Sequence, residues 1–433
     1  MITRIIGPAG LALLVLGLLA GPASCAAPRY AVAAGQNTIY LLGTNGADWG
    51  GSSHIPLVTI PGATISGLAV EGNLIFAADV AANALRIYRV QGDIATNPET
   101  VLVNTVSLSG GGSMILSEPG AIAVTAAGGV FVLGRQWEDN EGMFRYTYAY
   151  VDPVAPGNWA GAATVSIIEL ANSPLVDVAA FGSGSGAVIA HQRIGGGQPP
   201  GAEAGSTYVT RRIGAATTGI TRLLDENKPV NERLNHAPQS IAVHPDFGVS
   251  GYAYVLNRRA SDDPETGSLS VVNTDTLSLV GPTLVLPNRM LPQDISVFSL
   301  SDNGEVRNYL AIVGVADGIG GMRQQQAWRI ELGSNGLPDM GTLTEYFLNS
   351  ADQSVQHHLA SSLDGKITWM TNTEAQTVIA LDNTASVWDQ VAGGRFEIKD
   401  TIREVKAFVP EPSGLAALAL LAGGGAVALR RRR

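Results

Sequence analysis

Two stretches decide the fold because they repeat one pattern: PQSIAVHPDFGVSGYAYVLNRR (residues 238–259) and PQDISVFSLSDNGEVRNYLAIVGVAD (residues 292–317). Each begins with a short run of small and β-branched apolar residues. Each then turns at Gly, Asn or Asp and continues as a second apolar run. Short apolar runs bounded by turn residues are typical of antiparallel β-strands.

The same pattern recurs in four more places along the chain. Copies begin at residues 65, 119, 174 and 354, so the six starts are 54, 55, 64, 54 and 62 residues apart. Each copy adds a more polar third run after the two apolar ones. Known propeller blades contain four strands in ~40–50 residues, and the extra length here leaves room for loops.

The two ends of this repeated region predict one further unit. YAVAAGQNTIYLLGTNG (30–46) supplies a partial copy, and GGRFEIKDTIREVKAF (393–408) supplies strands that can complete it. Pairing the first and last segments closes a ring and removes open sheet edges. We therefore predict an all-β chain with a single β-propeller of seven blades over residues 28–408. Six or eight blades, and two stacked β-domains, are the alternatives.

The composition supports a folded exported body. Of the 433 residues, 45% are hydrophobic and 15% charged, and there are 52 Gly and 22 Pro, which suits many turns. The formal net charge of −10 argues against nucleic acid as a partner, because phosphate binding needs clustered Lys and Arg. The single cysteine, Cys25, lies near the N-terminus, so the body has no disulfide and no thiol nucleophile.

Residues 1–27 have the pattern of a secretory signal peptide. Arg4 provides the positive start, residues 11–20 form an apolar core, and small residues before Ala26 and Ala27 suit cleavage. A lipoprotein signal ending at Cys25 is the alternative, although Pro22 stands where a branched aliphatic residue is expected. We therefore expect export through the inner membrane.

The last 25 residues, VPEPSGLAALALLAGGGAVALRRRR (409–433), form three ordered parts. Two prolines keep the backbone extended after the propeller. Residues 414–429 are uncharged and span ~24 Å as a helix, somewhat less than the ~30 Å bilayer core. The terminal arginines keep the C-terminus cytoplasmic. The pattern predicts a single C-terminal transmembrane helix.

This tail resembles the PEP-CTERM sorting signal of Gram-negative bacteria. The matching residues are Val409, Pro410, Glu411, Pro412 and Ser413 for the motif, and Arg430, Arg431, Arg432 and Arg433 for the basic end. The resemblance implies processing by an exosortase after transient anchoring in the inner membrane. It also implies delivery to the cell surface or extracellular matrix, beside exopolysaccharide. A simple C-terminal anchor is the alternative.

A second resemblance concerns residues 241–255, IAVHPDFGVSGYAYV. His244, Pro245, Asp246 and Phe247, followed by the GYAYV strand, are similar to a blade motif of the soluble glucose/sorbosone dehydrogenases. The resemblance implies a propeller fold. It also implies quinone-dependent sugar oxidation as an alternative activity.

Several polar residues have structural interpretations. Asp79, Asn257 and Asn372 each follow an apolar strand and are predicted to bond neighbouring loops. LDGK (363–366) and SDNGE (301–305) are predicted hairpin turns, and the glycines of FGSGSGA (181–187) a flexible turn.

No known catalytic or metal motif is present in the sequence. It lacks His-Glu-x-x-His, a Walker loop and G-x-S-x-G, so no catalytic, cofactor or metal residue is assigned. His357 and His358 are adjacent, and on a strand they would point to opposite faces, one of them towards a propeller channel. The alternative is one packed and one solvated histidine.

The leading prediction is a binding or scaffold module for a glycan, a matrix polymer or a surface protein. An enzyme, either a quinone-dependent sugar dehydrogenase or a polysaccharide-active propeller, is the alternative. The mouth of the central channel decides between them. A convergent group of His, Arg and carboxylates there would favour catalysis, whereas a neutral Gly/Ala mouth would favour binding through loops.

Overall fold

The computed structural model contains 28 described β-strands in seven four-stranded antiparallel sheets. The residues that the structure describes are 29–44, 49, 52–109, 116, 118–138, 143–155, 158–159, 165–170, 175–182, 184–192, 207–223, 238–258, 266–302, 304–317, 323–348, 357–372 and 376–408. These residues include no α-helix, and so none long and apolar enough to cross a membrane. The predicted leader (1–27) and sorting tail (409–433) lie outside them.

The sheets follow one another as the blades of a propeller. The chain begins with three strands of blade 7, namely β1 (Tyr30–Ala34), β2 (Thr38–Gly43) and β3 (His54–Thr59). Blade 1 contains β4 (Ile65–Glu71), β5 (Leu74–Asp79), β6 (Ala84–Asp93) and β7 (Asn97–Ser107). Blade 2 contains β8 (Ile122–Val124), β9 (Val130–Glu138), β10 (Met143–Val151) and β11 (Val165–Leu170). Blade 3 contains β12 (Leu175–Phe181), β13 (Gly186–Gln192), β14 (Thr207–Ile213) and β15 (Ala216–Leu223).

The second half of the chain continues the same order. Blade 4 contains β16 (Pro238–His244), β17 (Tyr252–Asn257), β18 (Ser268–Asn273) and β19 (Leu284–Val285). Blade 5 contains β20 (Leu291–Asp302), β21 (Glu305–Asp317), β22 (Arg323–Leu332) and β23 (Pro338–Leu348). Blade 6 contains β24 (Leu359–Ser361), β25 (Ile367–Asn372), β26 (Thr377–Asp382) and β27 (Asp389–Glu397). The chain returns to blade 7 with β28 (Glu404–Phe408).

Burial along a blade explains the repeated sequence pattern. Every residue of the second strands β5 and β25 is buried, because a neighbouring blade covers each face of the sheet. Such strands read as continuous apolar runs rather than alternating ones. In the outermost strand β7, by contrast, only Val106 is buried. The polar fourth run of the unit therefore belongs to the outer rim, whereas the third strands β18 and β26 are buried at five of their six positions.

The two ends of the chain meet in blade 7. Strand β28 pairs antiparallel with β1, from Tyr30 opposite Phe408 to Ala34 opposite Glu404, and is the innermost strand of that blade. This confirms the predicted closure and the seven-bladed ring. Six blades, eight blades and two stacked β-domains are wrong. Only the last five residues of the predicted closing segment complete blade 7, because 389–397 form the outermost strand of blade 6.

The hydrophobic cores lie between neighbouring blades. Phe76 of blade 1 packs edge-on against Trp159 of blade 2, with ring centroids 5.4 Å apart. Phe298 of blade 5 shares a buried cluster with Met370 and Trp388 of blade 6. Near the axis the blades approach so closely that a Cβ at Gly67 would collide with the carbonyl oxygen of Gly120. Apolar burial between blades therefore stabilises the ring.

The predicted turn residues have local structural roles. The Asp79 carboxylate accepts hydrogen bonds from the backbone N–H groups of Thr64, Ala81 and Ala82, and it pairs with Arg86 at 2.8 Å. Asn257 donates to serine hydroxyls on the next strand at 3.2 Å. The 363–366 turn joins β24 to β25, with Gly365 at a φ of +68°. Loop bonding is confirmed for Asp79.

Arg329 joins blades 5 and 6 through a buried guanidinium group. It donates to the carbonyl oxygens of Asn383 at 2.7 Å and Ala385 at 3.0 Å, and its side chain is almost fully buried. Unlike most buried arginines, it bonds carbonyl groups instead of a carboxylate at these two positions. Its removal would leave buried carbonyl groups of the next blade without donors.

We predict that Arg329→Met lowers the free energy of unfolding by about 2–4 kcal/mol, because the buried carbonyl group of Asn383 and the partly buried one of Ala385 lose their donor. Denaturant unfolding of the propeller measures this change. Arg307→Met is the matched control, since Arg307 lies on the same sheet but is half exposed and pairs with Glu305 at 3.0 Å. We expect little change in the control. Equal losses in the two variants would contradict the interblade role.

Candidate functional site at the channel mouth

A cavity of about 550 Å³ lies at one end of the central channel. Its lining residues lie at, or directly before, the starts of all seven innermost strands. They are Ser66, Ala121, Val176, Asp177, Gln239, Ser240, Gln293, Asp294, His358, Thr401, Ile402, Arg403, Glu404 and Lys406. The mouth therefore holds the convergent group of histidine, arginine and carboxylates that the sequence alone did not locate.

β-Bulges explain how so many side chains reach one channel. The innermost strands of blades 1, 3, 4 and 5 each shift register at one residue, and these residues are Ser66, Val176, Gln239 and Gln293. Adjacent residues of a regular strand point to opposite faces, whereas a bulge re-aims a side chain. In blades 3, 4 and 5 both the bulged residue and the one after it line the cavity. Four bulges thus raise the number of side chains at the mouth.

Two aspartates link successive blades at the mouth. Asp177 of blade 3 accepts hydrogen bonds from the Ser240 hydroxyl at 2.8 Å and the Ile241 N–H at 2.9 Å, both in blade 4. Asp294 of blade 5 accepts from the same hydroxyl at 2.7 Å and from the Leu359 N–H of blade 6 at 2.8 Å. These aspartates therefore both line the cavity and join blades 3 to 6.

The two contacts of the Ser240 hydroxyl with carboxylates can both be hydrogen bonds only when one of the two carboxyl groups carries a proton. A serine hydroxyl carries one proton, so it can donate to only one of the two carboxylates. Burial, and after it the charge of Asp294, raises the pKa of Asp177 to about 6. Burial also pushes the pKa of Asp294 upwards, but hydrogen bonding and charge from His358 outweigh it and leave that pKa lowered. Asp177 is therefore the carboxyl that takes up a proton in mildly acidic solution.

His358 and Lys406 supply positive charge beside the carboxylates. His358 Nδ1 lies 3.6 Å from Asp294 Oδ2 and 3.7 Å from Glu404 Oε1, and Lys406 Nζ lies 3.2 Å from Glu404 Oε1. Burial alone would lower the pKa of His358, but Glu404 and Asp294 outweigh it and raise that pKa. The pKa of Lys406 is raised for the same reason, with Glu404 as the main source. The mouth thus combines both signs of charge within a few ångströms.

The two adjacent histidines have different environments, as one interpretation of the sequence expected. His358 lines the channel. His357 is fully buried, and its Nδ1 donates to the Thr371 carbonyl oxygen at 2.6 Å. His357 is a packing residue, whereas His358 belongs to the candidate site.

The dehydrogenase-like segment lies away from the channel lining. His244 is buried beside Phe247, with ring centroids 5.1 Å apart, and its Nε2 lies 3.2 Å from the Ser299 hydroxyl of blade 5. These contacts explain the segment as a blade-to-blade connection. None of residues 241–255 lines the cavity, although the Ile241 N–H at the start of the segment donates to the mouth residue Asp177.

The proposed sorting residues Val409 to Ser413 and the four terminal arginines lie outside the described part of the chain. Apart from one histidine of the 357–358 pair, the mouth residues were missed by sequence reasoning although a signal was present. In the aligned units a polar residue directly precedes the first apolar run, as in PQSI, PQDI and HHLA. These are Ser240, Asp294 and His358. An apolar strand beginning with a polar residue at the same place in successive units would have predicted a ring of polar groups.

Comparison with known proteins supports the fold. No protein-family model and no curated protein sequence matches the chain. Among solved structures, a functionally unknown protein from Desulfotomaculum acetoxidans has 12% identity and a TM-score of 0.54, over 88% of this chain and 99% of that one. A "putative 6-phosphogluconolactonase" from Bacteroides fragilis has 12% identity and a TM-score of 0.55, over 89% and 99%. Likeness at this identity shows the propeller fold and no activity.

We predict that Asp177→Asn flattens the pH dependence of stability between pH 4 and 7. Because the pKa of Asp177 is about 6 in the folded protein and near its ordinary value of 3.8 when unfolded, the native state binds more protons in this range. The stabilisation is complete below pH 4 and is lost as the pH rises through 6. Relative to the variant, the wild type should lose about 2–3 kcal/mol from pH 4 to 7. Thermal unfolding at several pH values measures the difference.

The matched control for this experiment is Gln239→Ala, which changes a neutral residue of the same mouth. It should shift the unfolding free energy by a similar amount at every pH. Parallel curves for the wild type and Asp177→Asn would show that Asp177 does not titrate in this range.

Proposed function

We propose that this chain is an exported β-propeller that binds a saccharide unit of an extracellular polysaccharide at its channel mouth. The observation that carries the proposal is the convergence of hydrogen-bonding side chains from successive innermost strands on one cavity. The cavity volume of about 550 Å³ falls within the ~300–1,000 Å³ range of small-ligand sites. A matrix polymer end or a sugar on a surface protein would present the same chemistry.

The mixture of groups at the mouth favours a polyhydroxylated ligand. Each sugar hydroxyl both donates and accepts, so it can pair with a carboxylate such as Asp177 and an amide such as Gln239. The three carboxylates are offset by Lys406, Arg403 and His358, which disfavours a strongly charged ligand of either sign. A neutral or weakly acidic saccharide fits this charge balance.

Export and sorting are proposed from the sequence. The signal-like leader supports passage through the inner membrane, and the Pro-Glu-Pro motif with its apolar run and arginines supports exosortase processing. The propeller would then act at the cell surface or in the extracellular matrix of a Gram-negative bacterium. In this setting it serves as a binding or scaffold module for exopolysaccharide.

Hydrolysis of the bound saccharide is a second candidate function, because the mouth holds the convergent histidine, arginine and carboxylates that we expected of a catalytic mouth. It is favoured by the position of His358, which lies within 3.7 Å of both Asp294 and Glu404. An imidazole with a raised pKa beside carboxylates is suited to general acid–base work. Release of product during the binding experiment below would establish this activity.

We predict that the propeller binds at least one oligosaccharide from extracellular polysaccharides, as measured by isothermal titration calorimetry against a panel. Gln239→Ala should weaken binding about 5–10-fold, the cost of one neutral hydrogen bond. Asp177→Asn should weaken it more than ~10-fold, because carboxylate hydrogen bonds are stronger.

Asp389→Asn is the control for the binding experiment, since Asp389 is exposed on the outermost strand of blade 6. It should bind as the wild type does. Absence of binding across the panel, or binding that neither mouth substitution changes, would refute the proposed ligand site.

We predict that deleting residues 409–433 releases the propeller into the periplasm instead of the cell surface, as measured by cell fractionation. Replacing Arg430 to Arg433 with glutamine should impair orientation and processing of the tail, because the positive charges are then lost. Arg403→Gln, a single arginine change within the propeller, is the control and should leave sorting unchanged. Unaltered surface retention of the deleted protein would contradict the sorting role.

A further inference from the structure

Three side chains at the mouth offer metal-binding atoms to one point. Asp294 lies in blade 5, His358 at the start of blade 6 and Glu404 in blade 7. One donor atom from each of the three side chains lies within 4.8 Å of the other two. Their side chains are 13%, 18% and 12% exposed, so they can be reached from the channel while remaining held by the protein. Residues brought together from three blades indicate a site built by the fold.

We propose that Asp294, His358 and Glu404 form a binding site for a divalent transition-metal ion, with Zn²⁺ and Mn²⁺ as the fitting chemistry. One imidazole nitrogen with two carboxylate oxygens suits these ions, whereas Ca²⁺ takes six to eight oxygen ligands. Tetrahedral ligands at ~2.1 Å from an ion lie about 3.4 Å apart. The observed 3.6 and 3.7 Å from His358 Nδ1 to the two carboxylates need only a small closure.

The surroundings of Asp294 and His358 hold these two ligands in place. Asp294 Oδ2 accepts the Leu359 N–H, and Oδ1 accepts from the Ser240 hydroxyl, at 2.8 and 2.7 Å. The backbone N–H of His358 donates to the Thr371 hydroxyl at 2.8 Å. Such outer contacts commonly orient metal ligands and raise the affinity of the site.

Lys406 is the resident cation that a metal ion would have to displace. Its Nζ lies 3.2 Å from Glu404 Oε1, and its side chain is 35% exposed, so the ammonium group has room to turn towards the solvent of the channel. Removing this charge would free Glu404 for the metal. The effect of a Lys406 substitution therefore distinguishes a metal site from an ion-pair network that only stabilises the ring.

The test uses the propeller, residues 28–408, purified without a histidine tag and freed of metal with a chelator. Isothermal titration calorimetry with ZnCl₂ and MnCl₂ should show one site per chain, and CaCl₂ should bind at least ~100-fold more weakly. His358→Ala and Glu404→Gln should each weaken Zn²⁺ or Mn²⁺ binding at least ~100-fold. Lys406→Met should strengthen it about 10-fold.

His54→Ala is the control, because His54 lies on the outer strand β3 of blade 7. It should leave the affinity unchanged. Thermal unfolding verifies that each variant is folded, and His358→Gln replaces His358→Ala if the latter is not. The proposal is overturned by the absence of a one-to-one site, by wild-type affinity in both His358 and Glu404 variants, or by weaker binding in Lys406→Met.

The metal titration contains no saccharide, so the two proposals for the mouth are tested apart. Saccharide binding by a protein that takes no metal would refute the metal site alone. A metal site in a protein that binds no saccharide would refute only the proposed ligand.

Discussion

The centre of this molecule depends on hydrogen bonds between blades, in which a carboxylate of one blade accepts from an N–H group of the next. The innermost strands belong to seven different sheets, so no ladder of backbone bonds connects them. Asp177 and Asp294 supply such connections by accepting the backbone N–H groups of Ile241 and Leu359. Apolar packing holds the blades together further out. At the axis, polar contacts such as these take over this role.

Two opposing effects act on these aspartates. As blade connectors they are stabilised by their N–H partners, yet burial and mutual repulsion raise the pKa of Asp177. A protein that needed only a closed ring could place neutral residues here, as blades 1 and 2 do with Ser66 and Ala121. Charges crowded at the mouth by blades 3, 5, 6 and 7 therefore favour a use beyond stability, since functional sites commonly hold such strained electrostatics.

Much of the fold was predictable from the sequence. The repeated units that begin with PQSI and PQDI predicted the blades. The apolar runs predicted the buried strands, because burial on both faces of a strand requires a continuous run of apolar residues. Which side chain at each strand start faces the channel was not predictable, because four of the innermost strands contain a bulge. Strict alternation along these strands assigns the side chains beside the bulge to the wrong face. His358 and Glu404 are 46 residues apart and meet only through ring closure. Their separation in the sequence therefore does not predict that these two side chains lie close together.

The position of β28 determines when the channel mouth becomes complete as the chain folds. Glu404 and Lys406 lie on the last of the described strands, which must pair with β1 beside the innermost strand of blade 6. Until it does so, the channel mouth lacks one of its walls and two of its charges. A chain synthesised only as far as β27 therefore has an incomplete mouth, and the candidate site is complete only when the ring has closed.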